Sequence, residues 1–145
     1  MKQLIIFICV LISTSVYAED FGSLNEVSYV DTFDGGVITF EISGVPPIMG
    51  HNIPVRFAGY SFPDINAACY EEVHKAKMLK TIIHLGLSDS FKKYKLTLKH
   101  IQRATGGFGL LADVYVGSED FGAILAKKDF IRKTPADGSA INWCN

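Results

Sequence analysis

The 145-residue chain is poor in the features that mark specialised protein classes. It carries one tryptophan, three cysteines, five prolines and no excess of either charge, with 14 basic against 15 acidic residues. That balance argues against broad electrostatic capture of nucleic acid, while leaving room for a local basic patch. No internal repeat or low-complexity segment occurs, and nothing marks a second domain. None of His51, His74, His84 and His100 stands in a His-x-x-x-His pair or beside a Cys-x-x-Cys, so zinc is not indicated. His74 and His84 share a predicted helix but lie too far apart to meet. No serine, Ser13 included, has the Gly-x-Ser-x-Gly context of a hydrolase nucleophile. No apolar run reaches the roughly 20 residues that span a bilayer.

What is present begins with export. Met1 to Ala18 has a basic start at Lys2, an apolar run from Leu4 to Ile12, and Val16 and Ala18 at the small-residue positions before a cleavage site. Cys9 sits inside the apolar run, so no lipoprotein-type cysteine follows it. The expectation is a cleaved signal peptide over 1–18 and one domain over 19–145, secreted or periplasmic, monomeric and without a membrane span; a retained anchor is the alternative. Removing Lys2 from the 14 basic residues leaves 13 against 15 acidic, a balance of −2. Cleavage leaves Cys69 and Cys144, and two cysteines in an oxidising compartment usually pair. Two unpaired thiols are the other reading.

Val27–Val30 and Val37–Ile42 alternate as strands around the turn signature Asp34-Gly35-Gly36. The stretch Gly44 to Gly50 reads as irregular, and a third strand follows at about Ile53–Gly59. Asn66–Leu85 has helical spacing, with Cys69, Val73, Ala76, Leu79 and Ile83 on one face and Glu71, Glu72, Lys75 and Lys77 away from it. Strands at Tyr94–Ile101 and Leu110–Val116 come next. Ser118 is placed to cap a short helix over Glu119–Lys128. Five strands with a helix after the third and another at the end predict a β-rich α+β fold, a small Greek-key barrel of the OB type.

Several segments, in order, carry a resemblance. Asn52-Ile53-Pro54-Val55-Arg56-Phe57-Ala58-Gly59 and Leu110-Leu111-Ala112-Asp113-Val114-Tyr115-Val116 look like the third and fifth strands of the thermonuclease (staphylococcal-nuclease-like) family. Gly44-Val45-Pro46-Pro47-Ile48, Ile101-Gln102-Arg103 and Asn142-Trp143-Cys144 resemble its secreted bacterial branch. The resemblance implies an OB barrel and, in the ancestor, calcium-dependent cleavage of DNA and RNA. It also shows which family positions have changed. The turn that would supply a calcium carboxylate reads Asp34-Gly35-Gly36-Val37, leaving Gly36 at the ligand position. The motif after the third strand reads Ser61-Phe62-Pro63-Asp64, so Ser61 and Phe62 replace two ligands, and Asp64 replaces the general-base glutamate with a shorter arm. The first catalytic arginine persists as Arg56; the second matches Gly109.

Calcium favours six to eight oxygen ligands, with carboxylates carrying most of the affinity. Losing one preorganised donor to a developing negative charge typically costs about a hundredfold to a thousandfold, and these losses compound. The expectation is a pseudo-nuclease without a cofactor or metal, with Arg56 and Asp64 as vestigial catalytic residues, that serves as a binding module. A weakly active or metal-altered phosphodiesterase drawing on Asp31 or Asp34 is the alternative, and a protein-interaction scaffold a third. Arg56 reads either as a phosphate contact or as the ion-pair partner of Asp64 or Asp34. Phe62 reads either as a stacking surface or as a plug. Single-stranded nucleic acid is one candidate partner, through Lys93, Lys95, Lys99 and Arg103 with Lys92, His100, Phe91 and Tyr94 among them; a solvated strand face is the plainer reading of that set.

Overall fold

Strand β1 (Leu24–Thr32) enters a tight turn, a single 3-10 turn over Asp34–Gly36, and returns as β2 (Val37–Ile42). Gly35 and Gly36 both have positive φ, +67° and +69°, which explains why the turn carries two glycines. In this computed structural model the described residues are 20–105, 107 and 109–144, without the side chains of Glu26, Ser90 and Phe91. The expected signal segment therefore lies outside them.

The stretch from Gly44 to Gly50, expected to be irregular, contains one helical turn, α1 (Pro47–Gly50), which Pro47 opens at its first position. Strand β3 (Ile53–Phe57) follows with strict alternation: Ile53, Val55 and Phe57 are buried and Arg56 faces solvent. A two-residue strand, β4 (Tyr60–Ser61), leads towards the long helix α2 (Tyr70–Phe91). Helical spacing extended upstream to Asn66, but the helix starts at Tyr70, after a loop held by hydrogen bonds of Asp64. Ala76, Leu79, Ile83 and Leu87 form its buried face. Strands β5 (Leu96–Arg103), β6 (Leu110–Val116) and β7 (Glu119–Asp120) then precede helix α3 (Phe121–Lys127) and β8 (Arg132–Lys133). Asp120, not Ser118, caps α3, accepting the Ala123 N–H at 3.0 Å. The expected helical start at Glu119 is instead β7, drawn into the sheet beside Tyr115 and Val116.

The result is a β-rich α+β fold. β1 pairs antiparallel with β2 and β5, β2 antiparallel with β3, β5 antiparallel with β6, and β3 parallel with β6. Each of these five strands thus has a neighbour on both sides. Their inward residues, including Val27, Ile38, Phe40, Val55, Leu98 and Val114, pack with α2, Leu125 and Ile131 into one core.

Cys69 and Cys144 are bonded, S–S 2.08 Å, tying the start of α2 to the chain's end. The same tail buries Trp143, with the Arg132 guanidinium 4.5 Å from its ring and Arg132 donating to the Asn142 carbonyl at 3.0 Å. Arg132 and Lys75 both hydrogen-bond Asp129 and hold its carboxyl well below the usual range. The bridge closes a loop of 75 residues in sequence separation. In the chain-entropy model such a loop contributes about 4 kcal/mol. Replacing both cysteines by serine should therefore lower the urea midpoint and steepen the transition, because the unlinked denatured chain is less compact and exposes more surface.

Candidate functional site

The groove beside β3 is built from three short pieces of chain. β3 alternation turns Arg56 outward, and the Gly59 turn reverses direction into β4. β4 then pairs with β8, placing Ser61 opposite Arg132, and the Ser61 hydroxyl lies 3.1 Å from the Thr134 hydroxyl. Arg56, Ser61, Phe62 and Asp64 line one groove of about 570 Å³, with Gly35 and Leu111 on its other walls. Four positions singled out in the sequence therefore meet.

Gly36 joins them through contact. It is buried beneath the Phe62 ring, and a Cβ built on it would collide with that ring. Phe62 also packs on Phe57, ring centroids 5.8 Å apart, and Phe57 in turn on Phe121 at 6.2 Å. The ring is partly buried against the core, so it plugs the space over the turn while one side faces the groove. The ring therefore fills the space over Gly36 and contributes one wall of the groove.

The carboxylates around the groove are engaged elsewhere. Asp34 pairs with Lys80 at 3.1 Å. Asp31 accepts the Thr32 N–H at 2.7 Å and lies 3.8 Å from His84. Asp64 accepts the Asn66 N–H at 2.9 Å, while its own N–H donates to Glu72. The Arg56 side chain has no hydrogen-bond or ion-pair partner among the described residues. The expected alternative, an Arg56 pair with Asp34 or Asp64, does not form.

Gly109 lies beside β3, where a Cβ would come within 3.2 Å of the Pro54 carbonyl oxygen. The basic set is scattered along β5 and the segment before it. Lys93 and Lys95 line a crevice with Tyr94 at one end, and the Lys93 ammonium is 5.2 Å from the Tyr94 ring. Lys99 sits 3.9 Å over the Tyr115 ring, next to Asp113. Arg103 reaches a different groove at the far end. A register shift between Lys99 and Gln102, with His100 at φ +49°, breaks the expected alternation and separates these cations. Asp113 and Asp120 also border that face, where burial first and Asp120 second push the Tyr60 and Tyr115 phenols up. It is a mixed-charge surface, not a continuous basic track.

The histidines are accounted for by neighbours: His51 with Glu41 at 2.8 Å, His100 with Asp113 at 2.7 Å, His84 with the Tyr29 hydroxyl at 2.7 Å, and His74 stacked on Tyr70. Among the described residues, a grouping of three potential metal-binding side chains occurs at Cys69, Glu72 and Cys144, where the disulfide consumes both thiols. No protein-family model matches this chain, and no curated protein matches it either.

Sequence reasoning did not foresee that Gly36 and Phe62 share one volume; only the fold brings the turn and the β4 exit together. The contact predicts a coupling. Gly36→Asp alone should be strongly destabilising, both from the positive φ and from the ring above it. Gly36→Asp with Phe62→Thr should recover at least about 1 kcal/mol of that loss in a denaturation double-mutant cycle.

Proposed function

We propose that residues 19–145 form an exported, thermonuclease-like barrel of the OB type that binds an extended anionic chain, single-stranded nucleic acid, without cleaving it. Binding runs through the groove past Arg56 and Phe62. Support for the barrel comes from the cyclic pairing of β1, β2, β3, β6 and β5, with α2 placed after the third of them. The observation that carries the function is the Phe62 ring lying over Gly36 beside an unpaired Arg56.

Calcium does not fit the donors at the matched positions. Gly36 has no side chain, the Ser61 hydroxyl is already bonded to Thr134, and Phe62 offers a ring. Asp64 directs one carboxylate oxygen at its own turn, where it accepts the Asn66 N–H at 2.9 Å. What remains suits recognition. An exposed guanidinium forms a forked donor for a phosphodiester, and the open side of an aromatic ring can stack a base. Because Arg56 is exposed, it should supply orientation and salt sensitivity more than affinity.

The persistence of Arg56 and Asp64 in one groove favours a second reading, a residual phosphodiesterase. Digestion separates the two. Purified oxidised protein given calcium and single-stranded DNA should leave the DNA intact. It should bind the DNA with an affinity that falls as salt rises, and Arg56→Ala should flatten the log–log slope by about 0.7. Calcium-dependent cleavage abolished by Arg56→Ala would refute the binding-only reading.

A further inference from the structure

The connection between β2 and β3 holds a second feature, independent of the Arg56 groove. It is apolar yet firmly built: the Met49 N–H donates to the Pro46 carbonyl at 2.8 Å and the His51 N–H to that of Pro47 at 2.9 Å. Gly50 is buried against the Ile42 carbonyl and Val45, where no Cβ would fit. The loop therefore presents Ile48 and Met49, 85% and 62% exposed, in fixed positions. Behind Met49 opens a groove of about 350 Å³ whose apolar walls are Ile42, Met49, Ile53 and Leu110. Arg103 is the sole charged side chain among its described lining residues, and it has no hydrogen-bond or ion-pair partner among the described residues.

We propose that this groove binds a single-chain aliphatic carboxylate, with the alkyl chain along Ile42, Ile53 and Leu110 and the head at Arg103. The volume suits a small ligand, falling near the lower end of the usual range for such sites. Apolar walls reward each buried methylene, strengthening binding by roughly two- to fourfold in an open groove. One unpartnered arginine selects an anionic head over a neutral or cationic one. A peptide would bring backbone N–H and C=O groups that these walls leave unpaired. A bilayer would engage Ile48 above all, yet Ile48 does not line the groove, and the chain's net charge of −1 gives no general attraction to anionic lipid.

The test is calorimetric titration of the purified protein with decanoate below its aggregation concentration. Saturable one-to-one binding is expected, tighter for dodecanoate than for octanoate. Decanol should bind roughly two- to fivefold more weakly than decanoate, the worth of an exposed ion pair, and Arg103→Gln should erase that difference. Met49→Glu should abolish binding, and Ile48→Ser should leave it unchanged. If Met49→Glu fails to fold, the decanoate-to-decanol ratio in Arg103→Gln still decides the matter. No saturable binding overturns the proposal. So does loss with Ile48→Ser alongside retention with Met49→Glu, the pattern of partition onto a lipid surface, or tighter binding of a peptide ending in leucine.

Discussion

The contact between the Phe62 ring and the bare backbone of Gly36 sets the character of the groove. A side chain at Gly36 would need the ring's space, and the ring needs a glycine below it. Phe62 is in turn held by Phe57 and, through it, Phe121, so the plug is continuous with the core. Core packing tolerates added volume poorly, commonly at a cost of about 1–3 kcal/mol. The cleft's chemistry is thereby fixed by packing: aromatic and apolar over the turn, cationic at Arg56, and closed to a carboxylate at Gly36.

Helix α2 holds the pieces around that contact. Just before it Cys69 bonds Cys144, and along it Glu72 accepts the Asp64 N–H, Lys75 reaches Asp129, Lys80 pairs with Asp34 and His84 meets Tyr29. Each exposed ion pair is worth little alone. Lys80 engages Asp34 and the Asn66 N–H engages Asp64, so neither carboxylate pairs with the Arg56 guanidinium that β3 alternation turns to solvent. The disulfide adds the one covalent tie, fixing the chain's end against the helix that positions the groove.

Much of the main architecture was legible in the sequence because it rests on periodicity. The alternation in Ile53–Phe57, the helical spacing of Ala76, Leu79 and Ile83, and the two glycines of the turn each have a local cause. The errors also have local causes. Asp120 outcompeted Ser118 as a cap because Glu119 and Asp120 extend the sheet, and the β5 irregularity at His100 leaves no mark in a pattern of alternating charge. In the candidate site, Arg56, Ser61, Phe62 and Asp64 are singled out by the resemblance of their segments to a known family, not by any local pattern. Their meeting with Gly36, the engagement of Asp34 by Lys80, and the dispersal of Lys93, Lys99 and Arg103 depend on contacts between residues distant in sequence. No local pattern encodes those.

The central claim is that the groove past Arg56 is usable by an anionic chain but closed to calcium. Backbone amide shifts of the isotope-labelled protein, followed by NMR during separate titrations with calcium and with a short single-stranded oligonucleotide, test it most directly. The account predicts oligonucleotide-induced shifts at Arg56, Ser61, Phe62 and Leu111 that are the same with or without calcium, and none from calcium alone. Saturable calcium shifts centred on Asp34, Gly35 and Gly36, or oligonucleotide shifts that appear only after calcium is added, would contradict it.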